Sequence, residues 1–319
     1  MQVENNVIIG KDGELFLSSD RHFTLDLMLG KKSVDEKSFA NFSENLKRRQ
    51  RLCQQNKAQH VHLVAPDKHV VYRDRFPIEN FISIGDLYRK NVEQDFLFPV
   101  SELRASKRRT YGQTDTHWSV WGQIRIAVLV AQAFGFTPEE LRAGEDLLDA
   151  SAREETSRVV GDLGLKLNPQ RSEPAVSFAP GWKVSKFSNG IQRGNDGRII
   201  ASYSTSPVSR GRLVVFGDSF LAQTLDALSV FFKEVLFCRT RFFHSEIVVN
   251  ARPDFVLTEN VERYFSAVQS DLEAPPMLLM AEMNGKGPRY APGHAVGIGA
   301  MLSGRNRFYR NFVATLDAG

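Results

Sequence analysis

Only two cysteines, Cys53 and Cys238, occur in 319 residues, too few for the disulfide framework that holds small secreted domains together. Each has apolar neighbours, where a buried thiol is the ordinary expectation, and a single bridge between them is the minority reading. Long apolar runs are also lacking. A spanning helix needs roughly 20 apolar residues, whereas the longest runs, such as 213–216, are strand-sized, so no membrane span is expected. Charge of one sign is scarce: 41 Lys and Arg face 37 Asp and Glu, a net +4, too small an excess to argue for nucleic acid. No Cys/His spacing has the form of a zinc site, so no metal is expected; His60 and His62 alternate along a strand. No tandem repeat or low-complexity block is visible. The first residues lack the basic-then-apolar order of a secretory signal, which gives two readings of location: cytoplasmic as written, or periplasmic if the chain is a trimmed mature form.

What is present is a globular composition, 42% hydrophobic and 24% charged, with enough apolar side chains for a sizeable core. Residues 7–17 read as two short strands around Lys11-Asp12-Gly13, because Asp-Gly favours positive φ at a hairpin. A helix is predicted over about 34–54, where Phe39, Phe42 and Leu46 recur at helical spacing and Ser33 offers a cap. Residues 61–65 have strand character and run into Pro66-Asp67-Lys68. A largely buried helix is predicted from near Asp115 to Phe134, with Gly135 ending it. The stretch 137–207 is polar and punctuated by proline and glycine, and is read as an insertion holding one helix near 138–153. The strongest strand signal follows at Arg212-Leu213-Val214-Val215-Phe216, stopped by Gly217. A helix over 220–232, a strand over 235–238, a short helix over 245–251 and a strand over 254–258 complete the series. Strands alternating with helices imply an α/β fold, a parallel sheet with helices on both faces. After about residue 270 glycine and proline recur, and an irregular C-terminal extension is expected over 271–319.

Gly217-Asp218-Ser219-Phe220 places a serine directly after a buried strand, in the first turn of a helix. Active sites of open α/β sheets lie at the carboxyl ends of the strands. A helix N-terminus adds unpaired N–H groups and partial positive charge, which stabilise an oxyanion formed beside the serine. The competing reading is that Asp218 or Ser219 only caps the helix. A serine nucleophile needs a base, and Thr114-Asp115-Thr116-His117-Trp118 supplies a carboxylate two residues before an imidazole. The carboxylate would fix the ring and stabilise imidazolium while His117 takes and returns the serine proton. Here too an ordinary helix cap with a structural histidine is the competing reading.

Together the two motifs resemble the alginate O-acetyltransferase-like branch of the SGNH hydrolase-like superfamily, in which Asp-x-His-Trp precedes Gly-Asp-Ser-Phe, the reverse of the usual SGNH order. Further matches are Gly10-Lys11-Asp12-Gly13-Glu14-Leu15-Phe16, Pro66-Asp67-Lys68 followed by Tyr72 and Pro77, Gly161-Asp162-Leu163, and Glu262-Arg263-Tyr264, so the resemblance spans roughly residues 7–268. It implies a permuted SGNH, flavodoxin-like catalytic domain over 1–270 with the insertion at about 137–207. It also implies Ser219 as acetylated nucleophile, His117 as base and Asp115 as its orienter. Where the usual family block stands, this chain has Thr258-Glu259-Asn260, which makes Asn260 the candidate second oxyanion donor. Arg239-Thr240-Arg241 replaces the usual glycine after the second strand.

Substrate-binding candidates are Lys107, Arg108 and Tyr111, just upstream of the Asp-His pair, together with Trp118, Arg239 and Arg241. Each also has a plain structural reading: a solvated basic loop for 107–111 and a core indole for Trp118. The reaction implied is acetyl transfer to hydroxyls of a bacterial polysaccharide through an acetyl-serine intermediate. Its partners would be a polysaccharide acceptor, an acetyl donor and other polysaccharide-assembly proteins. No cofactor is called for, because oxyanion stabilisation and acid–base chemistry supply the rate enhancement. Two alternatives fit the same residues: a carbohydrate esterase using the same triad, and a non-catalytic glycan-binding or polysaccharide-assembly protein of the same fold.

Overall fold

Arg212–Gly217 (β9) is buried at every position, and its side chains alternate between two separate cores. Leu213 and Val215 face a cluster containing Ile126, Val130, Leu221 and Leu225, whereas Val214 and Phe216 face one containing Ile247, Val248, Met280 and Met301. This period-two alternation, with apolar residues in both registers, is what a strand covered on both faces requires. In this computed structural model, which describes residues 2–18, 22–192 and 196–317, β9 is central in a six-stranded sheet.

In chain order the strands are Gln2–Glu4 (β1), Val7–Ile9 (β2), Leu15–Leu17 (β3), Gln59–Ala65 (β4), Ala152–Val159 (β5), Glu173–Phe178 (β6), Val184–Ser188 (β7), Ile199–Ser204 (β8), β9, Glu234–Arg239 (β10) and Phe255–Val261 (β11). The main sheet runs β4-β11-β9-β10-β8-β7. β4, β11, β9 and β10 are parallel, with Phe255 opposite Leu213 and Glu234 opposite Arg212. β8 and β7 add antiparallel at one edge. The helices Val120–Ala133, Pro138–Ser151 and Ser219–Leu228 cover one face; Ser245–Ala251, Met277–Met283 and His294–Leu302 cover the other. The sheet is therefore mainly parallel within an α/β fold, as expected. Among the described residues no helix is long and apolar enough to cross a membrane.

Several expectations are corrected. The stretch 137–207 is not simply an appended insertion: it supplies β7 and β8 to the main sheet and pairs β5 with β6. Its prolines and glycines mask short strands whose edges are completed by distant segments. The C-terminal stretch is helical, not irregular, with helices Met277–Met283, His294–Leu302 and Arg307–Asp317. Gly297 sits inside the second of these; a Cβ there would lie 2.2 Å from the Phe187 ring, so glycine permits close contact between helix and sheet. Buried Arg212 ties this region down through Glu234 at 2.6 Å and the Met301 carbonyl at 3.2 Å. Lastly, the helix expected from near Asp115 begins at Val120, capped by Ser119, whose hydroxyl accepts from Gly122 N. Residues 111–118 form a tight reversal instead, with Ser119 N donating to Thr110 O at 2.9 Å and Gly112 N to His117 O at 3.3 Å.

The long helix is Glu36–Gln55 and its cap is Asp35, not Ser33. The β2–β3 hairpin turns through Asp12 and Gly13, both at positive φ. Cys53 and Cys238 are free and buried; burial pushes the Cys53 thiol up to about 12.

Candidate active site

β9 ends at Gly217, and the helix Ser219–Leu228 starts two residues later. Asp218 is the residue that caps this helix. Its Oδ1 accepts from Phe220 N at 2.9 Å, its Oδ2 from Val261 N at 3.0 Å, and its own N–H donates to Glu259 Oε2 at 2.9 Å. The turn before Ser219 is thus fastened to β11, and the Ser219 hydroxyl is not used as a cap. Burial, with the Asp218 charge beside it, pushes the Glu259 carboxyl well above the usual range.

The 111–118 reversal brings His117 to Ser219. His117 Nε2 lies 2.9 Å from Ser219 Oγ, and Nδ1 lies 2.7 Å from Asp115 Oδ1, which also accepts from the His117 backbone N–H at 2.8 Å. Phe220 packs against the His117 ring with centroids 4.9 Å apart and edge-on to Trp118 at 4.9 Å. Burial pushes the Asp115 carboxyl up, but the hydrogen bond and charge of the His117 ring, with two backbone N–H groups, outweigh it and hold Asp115 well below the usual carboxylate range. In this arrangement an imidazole can draw a proton from a hydroxyl while an ionised carboxylate steadies the resulting cation.

Residues that the sequence reading had given no role hold this turn. Asp162 N donates to Asp115 Oδ2 at 3.1 Å, and the Asp162 carboxylate accepts from Thr116 N at 2.8 Å and Thr116 Oγ1 at 2.6 Å. Glu173 Oε1 accepts from the backbone N–H and hydroxyl of Thr114 at 2.8 and 2.7 Å. From below, Lys68 Nζ reaches the carbonyl oxygens of Leu15, Gln113 and Asp115 and pairs with Glu14 at 2.7 Å. Gly161-Asp162 and Lys68 each stood in a recognisable motif; nothing local marked Glu173. The oxygen and nitrogen atoms of Asp115, His117 and Asp162 come within 4.8 Å of one another, close enough for a cation. Their lone pairs are nonetheless aimed at the protein's own N–H and O–H donors, so the geometry fits a hydrogen-bond relay.

The other sequence candidates divide. Tyr111 is wholly buried, its hydroxyl accepting from Trp118 Nε1 at 3.0 Å and donating to Pro66 O, and Trp118 is buried against Phe220. Both are core residues, which corrects their candidacy for substrate binding and bears out the core reading of Trp118. Lys107 and Arg108 lie in a surface depression whose lining includes none of Asp115, His117 and Ser219, and the Arg108 guanidinium sits 3.7 Å over Trp121. Arg239 closes β10, its N–H donating to Arg198 O. Arg241 and Asn260 line, with Asp218, a crevice of about 640 Å³ walled by Phe23, Phe242 and Tyr264; it reaches Asp218 beside the serine, but its lining includes none of Asp115, His117 and Ser219.

This is a strand–serine–helix site on a mainly parallel sheet, with an imidazole and a carboxylate delivered by a separate loop. No protein-family profile matches the chain, and no curated protein matches it in sequence. Solved structures do resemble it. A DHHW family protein from Eubacterium siraeum aligns with TM-score 0.56 at 15% identity, over 86% of this chain and 95% of that one. Bacillus cereus PatB1 aligns with TM-score 0.61 at 13% identity, over 82% and 98%. The O-acetyltransferase domain of Pseudomonas putida AlgJ aligns with TM-score 0.52 at 17% identity, over 88% and 99%. At these identities the likeness is one of fold.

Proposed function

We propose that the chain is a serine-dependent O-acetyltransferase that moves an acetyl group to hydroxyls of a bacterial polysaccharide. The observation that carries this reading is the unbroken relay Ser219 Oγ, His117 Nε2, His117 Nδ1, Asp115 Oδ1, with separations of 2.9 and 2.7 Å at its two hydrogen bonds. An O-acetyltransferase domain among the proteins of like fold supports it.

In the first half-reaction Ser219 Oγ attacks the donor's acetyl carbonyl and passes its proton to His117 Nε2. The tetrahedral oxyanion forms beside the Ser219 N–H at the helix N-terminus, with Asn260 as the second donor candidate. Collapse breaks the bond to the donor's leaving group, which takes the proton from His117 and leaves acetyl-Ser219. In the second half-reaction an acceptor hydroxyl gives its proton to His117 and attacks the acetyl carbon. Collapse then releases Ser219 Oγ, which recovers that proton. Asp115 stays ionised throughout.

The test offers wild type and Ser219→Ala an activated acetyl ester, with and without polysaccharide acceptors, and follows acetate and acetylated sugar separately. Acetyl-sugar formation that needs Ser219 is the expected result. Acetate release indifferent to sugar would make the chain an esterase, and activity surviving in Ser219→Ala would remove the serine from the mechanism.

A further inference from the structure

The Asp115 turn is held by a second carboxylate whose place in the site is distinctive. Asp162 and the turn are joined reciprocally: the Asp162 main chain donates to the Asp115 side chain, and the Asp162 side chain accepts twice from Thr116. The segment carrying it wraps the turn closely. Gly161 N donates to Thr114 Oγ1 at 3.0 Å, while Leu163 N and Gly164 N both donate to Thr114 O, at 3.0 and 2.9 Å. A Cβ on Gly161 would lie 2.4 Å from Thr114 O and 2.6 Å from Asp115 Cβ, so only glycine allows this approach. Asp162 Oδ2 also stands 3.9 Å from His117 Nδ1, behind Asp115.

We infer that Asp162 is a positioning residue for the acyl-transfer relay: it locks Thr116 so that His117 faces Ser219, and it places a second negative charge behind the imidazole. This inference rests on the acetyl-transfer reading above. The two roles are separable. The lock comes from hydrogen bonds and would survive in part with an amide, whose oxygen still accepts. The charge would not. Because the side chain is 43% exposed, solvent screens the charge and its effect is modest.

In the Asp162 variants the charged groups around His117 on neighbouring elements stay unchanged. These are Asp115, Lys68 on the Asp115 carbonyl, Glu173 on the Thr114 amide, Arg263 over the Phe220 ring, and the Asp218–Glu259 pair beneath the serine helix. Any difference therefore reports on residue 162.

The experiment compares wild type, Asp162→Asn, Asp162→Ala, Thr116→Val and Ser219→Ala, each checked for folding by thermal melting. It reads the pH dependence of kcat and kcat/KM on an activated acetyl ester, and the His117 ring titration by NMR. For Asp162→Asn, kcat is expected to fall roughly three- to tenfold with KM within about twofold, and the acid limb to move to lower pH by about half a unit, because the positive ring loses a stabilising charge. The NMR midpoint should move the same way. Thr116→Val should lower kcat while leaving the acid limb in place, and Asp162→Ala should show both effects. Variants that melt like wild type with unchanged kcat, acid limb and NMR midpoint would overturn the role of Asp162 while Ser219→Ala stays inactive. A wild type inactive on every ester tried would instead overturn the acyl-transfer reading, and the NMR midpoint would still decide whether Asp162 bears on the imidazole.

Discussion

Lys68 donates its buried ammonium to the Asp115 carbonyl oxygen at 3.2 Å, while the same nitrogen pairs with Glu14 2.7 Å away. One cation thus joins the N-terminal hairpin to the loop that carries the imidazole. Burial lowers the Lys68 ammonium from its ordinary range, opposed by Glu14, so the pair holds its charge by mutual contact. Lys68→Met would leave Glu14, 0% exposed, with only Arg75 and Arg109. The expected outcome is a loss of about 3 kcal/mol in urea unfolding, with esterolysis reduced further than stability alone accounts for.

Asp115→Asn tests the relay at its anionic end. An amide can present its NH2 to Nδ1 and favour the wrong ring tautomer, so turnover should fall about a thousandfold or more while the melting temperature moves little. Single-turnover formation of acetyl-enzyme, followed by intact-protein mass, measures it. A loss below tenfold would mean that His117 works without its carboxylate.

Gly161→Ala adds one methyl group where Thr114 O and Asp115 Cβ leave no room. The backbone must give way, at a cost of about 1–3 kcal/mol, and Asp115 should move with it. Activity should drop by at least tenfold even at temperatures where the variant is folded. Gly135→Ala, where nothing lies within 4 Å of the new Cβ but φ is +74°, is the control: it should lose stability from backbone strain yet retain kcat.

His69 gives a prediction for stability against pH. It is buried against Phe76 and Phe81, and burial, with the Arg263 charge added, pushes its pKa down to about 3. The folded state keeps the ring neutral while the unfolded chain protonates it near pH 6.5. The contribution of His69 is therefore complete above pH 6.5 and is lost as pH falls towards 3, at up to about 1.4 kcal/mol per pH unit. Urea unfolding of wild type and His69→Phe at pH 7, 6 and 5 should show the variant less sensitive to acid; parallel curves would contradict this.

Local pattern carried much of the fold. β9 declared itself because its apolar run is unbroken, and Ser245–Ala251 matched its expected span. Ser219, His117 and Asp115 were singled out by two short motifs taken together, since each alone also reads as a helix cap, and the structure brings the three side chains into contact. What escaped depends on distant partners. β7 and β8 are short strands completed by pairing with each other and with β10. Glu173 acts on Thr114 from 59 positions away, and no periodicity reports such a contact. Tyr111 and Trp118 show the opposite case: aromatic residues beside a site look like ligand platforms until their polar atoms are seen to satisfy each other inside the core, where the core reading of Trp118 holds.

The fastening of Asp218 bears on how the site meets a substrate. Because this one carboxylate takes both the Phe220 and Val261 N–H groups, the amide polarity at the start of the serine helix is aligned when the chain folds, before an ester arrives. Little reorganisation is then left for the moment of reaction. On the acyl-transfer reading proposed above, a site prepared in this way should discriminate mainly by which acyl carbonyl fits against a fixed field.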